Sequence, residues 1–242
     1  MSNRRRRMRV GGSIAFLLSL GLGIGVSAPA SAGSQLCPPQ TITASSGDVG
    51  LNFAALLEVS VRDDCTVAVS PVKVVPLAQA PISLPGGSVF GKSHVAHKTG
   101  DPVATVYNRS WDCCGIQMNA LYTSYDWSDN GSVVTTSNNQ WNTTWYHTEA
   151  WPSRGWWLDY QQLYYSAGCN GCTSRTLTGK AGFAYQGVFD PTGTLFYNTY
   201  VNTMRGQGNG GYYCTYSVNW RHSAPGWHSQ QWCAFGYNGS SG

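Results

Sequence analysis

The chain has 242 residues, with 15 Lys and Arg against 11 Asp and Glu, and only 11% of its residues are charged. Five of the basic residues, Arg4, Arg5, Arg6, Arg7 and Arg9, stand among the first ten positions, which leaves 10 basic against 11 acidic groups in the rest. A body so close to neutral excludes the broad electropositive surface that nucleic-acid binding requires.

The N-terminus reads as a secretory leader, residues 1–32. The arginines form a cationic start, residues 14–26 an apolar stretch with interspersed glycines, and Ala30-Ser31-Ala32 a small-residue cleavage pattern. The apolar stretch is too short for a comfortable membrane span, and no later segment is long and apolar enough to make one. The expected product is a secreted, extracellular protein.

Residues 33–75 form a small segment without Trp or Tyr. Apolar runs at 56–61 and 66–69 flank Arg62-Asp63-Asp64-Cys65, which predicts a hairpin. Residues 76–99, with Pro76, Pro81, Pro85, Gly86 and Gly87, read as a linker. All ten Trp and all fourteen Tyr follow, between residue 107 and the C-terminus. Residues 100–242 carry alternating segments of ten to fifteen residues divided by turn signals, with no helical period. The fold class expected is all-β, an antiparallel meander forming a sandwich or barrel. Asn130-Gly131 predicts a type I′ hairpin. Tyr212, Cys214, Tyr216, Val218 and Trp220 alternate onto one face. Residues 196–204 alternate too, but neither of their faces is clearly the wet one.

Eight cysteines in an exported chain predict disulfides. Cys37 and Cys65, the two in the front segment, are expected to pair. If Trp220 faces Trp227 across a hairpin turn, Cys214 falls opposite Cys233. Cys113 and Cys114 are neighbours, and a bond between neighbours is strained, so they are expected to reach Cys169 and Cys172. In the alternative, Cys169 and Cys172 close their own loop and leave the adjacent pair strained or reactive.

The stretch with most chemical content runs from Trp141 to Trp151. As a strand it puts Trp141, Thr143, Trp145, His147, Glu149 and Trp151 on one face. Folding back through a turn at 152–155 would set Trp156, Leu158, Tyr160 and Tyr164 beside them in the same sheet. Such a face is either core or a ligand surface, where indole rings stack on sugars and His147 and Glu149 supply hydrogen bonds. The function expected is a non-catalytic binding module for carbohydrate, with a polysaccharide or cell-envelope glycan as partner. The site would consist of Trp141, Trp145, His147, Glu149, Trp151, Trp156 and Tyr160. Two alternatives stand beside it: a secreted hydrolase using Glu149 as acid or base, and a structural or protein-interaction role at the cell exterior. His94 and His97 stand three apart, but only Asp101 is near to complete a metal site, and no cofactor motif occurs, so neither a metal nor a prosthetic group is expected.

Overall fold

The computed structural model describes residues 36–80, 102–148, 155–186 and 194–237. They form a β-sandwich of two antiparallel sheets, and no α-helix occurs among the described residues. The strands in chain order are β1 Gln40–Asp48, β2 Phe53–Val61, β3 Val67–Val69, β4 Lys73–Pro76, β5 Pro102–Trp111, β6 Gln117–Asp129, β7 Val134–Tyr146, β8 Gly155–Gly168, β9 Ser174–Gln186, β10 Phe196–Gln207, β11 Tyr212–Trp220 and β12 His228–Tyr237. The smaller sheet has the order β1-β11-β10-β9-β8. The larger runs β3-β2-β12-β5-β6-β7, with β4 also paired to β2.

Period-two alternation decides which side chains enter the interior. On β11, Tyr212, Cys214, Tyr216, Val218 and Trp220 are buried while the residues between them are half-buried. On β10 the buried set includes Asn198, Tyr200, Asn202 and Met204. The two asparagines among these explain why residues 196–204 show no clear wet face in the sequence: the core itself is partly polar. Asn202 Nδ2 donates to Thr123 Oγ1 at 3.1 Å, and Asn108 Nδ2 donates to Asn202 Oδ1 at 2.9 Å. Tyr200 donates to Ser110 Oγ at 2.6 Å and also to Asn119. Each of these side chains thus keeps at least one partner across the sandwich, as low-dielectric burial favours, although Asn108 Oδ1 and Asn119 Nδ2 have none among the described residues.

Aromatic rings fill the two ends on either side of this polar belt. At one end Trp127 stacks on Phe235 at 5.8 Å and on Tyr125 at 5.2 Å, with Gly206 directly beneath it. At the other, Trp227 meets Phe196 at 5.6 Å, and Trp156 and Trp220 each at 6.4 Å. Three disulfides complete the fold. Cys37–Cys65 ties the segment before β1 to the β2–β3 turn, and Cys214–Cys233 joins β11 to β12. Each therefore connects the two sheets. Cys169–Cys172 closes the β8–β9 turn.

Several expectations need correction. The β6–β7 hairpin forms, but not with a type I′ turn: only Gly131 has positive φ, and the connection spans residues 130–133. The Asn130 side chain accepts from the backbone N–H of Ser132 and Val133, which gives this turn its own stabilisation. Cys214 and Cys233 bond as expected, yet β11 and β12 lie in opposite sheets and are not hairpin partners. Cys113 and Cys114 do not reach Cys169 and Cys172, because the latter close their own loop. Most consequentially, β8 does not fold back onto β7 within one sheet. The chain crosses between sheets there, so β7 pairs with β6 and β8 with β9.

Candidate functional site

That crossing separates the residues expected to share one face. Trp141 and Trp145 are half-buried on the outer face of the larger sheet, against a cluster of Tyr107, Tyr122 and Trp232 set on Ala54, Ala120 and Ala234. Tyr107 and Tyr122 meet edge to face at 5.0 Å, and both are buried. Trp156 points into the interior instead, 5.2 Å from Tyr185, and is only 5% exposed. His147 sits at the crossing, where its N–H donates to Met118 O at 2.9 Å and its carbonyl accepts from Trp156 N–H at 3.0 Å. Glu149 and Trp151 lie outside the described residues. Tyr160 belongs to a third place, the outer face of the smaller sheet.

This outer face carries the open aromatic surface. A register shift between Leu158 and Tyr160 inserts one extra residue, Asp159, into β8 opposite β9. Such a bulge reverses the in–out alternation beyond it. Trp156 and Leu158 point inward before the bulge and Trp157 outward; after it Tyr160, Gln162 and Tyr164 point outward. Trp157 is 38% exposed and Tyr164 45% exposed. Between Tyr160 and Tyr164 the strand advances by about 13 Å, at roughly 3.3 Å per residue.

The neighbouring strands complete the face with small polar groups. Tyr160 shares a row with Gly182, Thr199, Asn219 and Thr41, and Tyr164 one with Thr178, Thr203, Thr215 and Ser45. Thr43 donates to Ser217 at 3.2 Å, and Asn219 donates to Thr41. The charged groups here are engaged. Tyr197 donates to Asp159 Oδ2 at 2.5 Å, Arg205 donates to the Tyr213 hydroxyl at 3.1 Å, and the Lys180 ammonium lies 5.4 Å from the centre of the Tyr160 ring. Partial burial, and then the bond to Asp159, push the Tyr197 phenol far above its ordinary value, so it remains a neutral donor. Gly182 lets this arrangement close, since a Cβ there would collide with both the Tyr160 ring and the Tyr197 hydroxyl.

The chain has no match among known families, curated proteins or solved structures. Its functional reading therefore rests on this geometry.

Sequence reasoning reached Tyr160 but missed Trp157, Gln162, Lys180 and Tyr197. The adjacent pair Trp156-Trp157 held a signal, because neighbours on a strand must point to opposite faces and one of two indoles is bound to be outside. Asp159 gave no such warning; nothing in its identity marks a bulge.

Proposed function

We propose that the protein is a secreted, non-catalytic binding module for carbohydrate, and that the outer face of the smaller sheet is its binding surface. The observation that carries this reading is the placement of Trp157, Tyr160 and Tyr164 along one strand of an otherwise hydroxyl- and amide-rich sheet. Exposed rings stack on the C–H faces of sugars, and the hydroxyl groups of Thr199, Thr41 and Thr43 meet their hydroxyls. Because rings, hydroxyls and amides dominate the face, and its charged groups contact neighbouring rings and phenols, the ligand it suits is an extended, neutral polysaccharide chain. Such a chain could come from a cell envelope. The leader-like N-terminus and the three disulfides support an extracellular setting.

Retention on a panel of insoluble polysaccharides tests the proposal. The wild type is expected to be retained by at least one neutral polymer, and Trp157→Ala combined with Tyr164→Ala to reduce its affinity at least tenfold. Trp141→Ala, on the other sheet, is expected to leave retention within twofold. Equal loss in the Trp141 variant, or none in the double variant, would remove this face from the mechanism.

A further inference from the structure

Cys113 and Cys114 are the two cysteines left without a disulfide, and both are exposed. They occupy the turn between β5 and β6, with their sulfur atoms 3.5 Å apart. The turn is held from beneath by one carboxylate. Asp112 Oδ1 accepts from the backbone N–H of Cys114 at 2.8 Å and of Ile116 at 2.9 Å, and Gly115 provides the positive φ of +79° that lets the chain reverse. On the other side Cys113 packs against Gly226 of the β11–β12 turn, where a Cβ would come within 2.9 Å of the Cys113 Cβ. The two thiols are thus presented side by side on a constrained tip, each with the other as its nearest sulfur partner.

We propose that Cys113 and Cys114 form a thiol–disulfide exchange site whose substrates are small molecular disulfides such as oxidised glutathione. In the first step one thiol, having lost its proton to solvent, attacks a sulfur of the small disulfide. A protein–glutathione mixed disulfide forms, and one glutathione thiolate leaves and takes up a proton. In the second step the neighbouring thiolate attacks the protein sulfur of that mixed disulfide. A Cys113–Cys114 bond forms and the second glutathione departs. The protein loses two electrons and two protons, and the small disulfide gains both. Every other cysteine is already committed, so the neighbour is the resolving group.

The surroundings set the rate. Contact with the Cys114 thiol, then partial burial and the nearby Asp112 carboxylate, hold the Cys113 thiol above the ordinary cysteine value. Exchange is therefore slow near neutral pH and accelerates as pH rises.

Mild reduction of the whole protein, treatment with oxidised glutathione, alkylation of the remaining thiols and peptide mapping test this directly. In the wild type the peptide containing residues 113 and 114 is expected to gain neither alkyl group nor glutathione and to be two hydrogens lighter than its reduced form. In Cys114→Ser, which removes only an exposed sulfur, Cys113 is expected to retain glutathione as a stable adduct. A stable glutathione adduct in the wild type, two alkylated cysteines after treatment, or a cross-link from either residue to another chain would each overturn the proposal. The wild-type result is decisive even if the variant folds poorly.

Discussion

Asn202 stands at the centre of the sandwich, where a hydrophobic residue would be the simpler choice. Its Nδ2 faces Thr123 Oγ1 and the carbonyls of Val106 and Leu121 at 3.1–3.4 Å, while its Oδ1 accepts from Asn108. Removing it strands several buried groups at once, and each stranded group costs about 1–3 kcal/mol. Asn202→Ala is therefore expected to lower unfolding free energy by about 3 kcal/mol in urea titration, whereas Asn219→Ala, on the outer face, should cost under about 1 kcal/mol. At the same scale Gly182 makes the candidate site. Gly182→Val is expected to displace Tyr160 and Tyr197 and to weaken polysaccharide retention more than it lowers the melting temperature.

At the scale of elements, the bulge in β8 and the crossing from β7 to β8 decide which aromatics are core and which are surface. The all-β class and the β11 alternation were legible because a strand repeats every two residues and its apolar set shows that period. Pairing of Cys214 with Cys233 was also legible, although the reason differs: the bond spans the sandwich. It closes a separation of 19 residues, so replacing both cysteines with Ala is expected to cost about 3 kcal/mol and to lower the thermal midpoint accordingly. Sheet membership was not legible. Trp145 and Trp156 are separated by a sequence whose Pro152 and Gly155 turn signals suit a hairpin or a crossing equally well, and only long-range contacts choose between them. Asp159 likewise reverses the parity of everything after it, and no local rule identifies it. The expected aromatic face was thus divided among two outer faces and the core.

The described residues combine a core rich in buried phenols with an outer face that exposes aromatic rings, and each has its own test. Burial, first among the causes, raises Tyr107, Tyr122, Tyr200, Tyr212 and Tyr216, and it pushes Tyr125 up to about 12. A folded phenol with a raised value holds its proton more tightly than the unfolded one. The stability it contributes is complete below the ordinary value of 10 and is lost as pH rises through the folded value. Far-ultraviolet circular dichroism is expected to show a plateau to about pH 10 and then cooperative alkaline unfolding, with the buried tyrosines ionising together with it. Gradual ionisation without unfolding would mean that these rings are not buried. The open face is tested most directly by tryptophan fluorescence titrated with soluble oligosaccharides of the retained polymer, comparing wild type, Trp157→Phe and Trp145→Phe. A saturable shift is expected in the wild type and in Trp145→Phe, and its loss in Trp157→Phe. A shift that survives in Trp157→Phe and vanishes in Trp145→Phe would place binding on the larger sheet, and no shift in any of the three would contradict carbohydrate binding at this face.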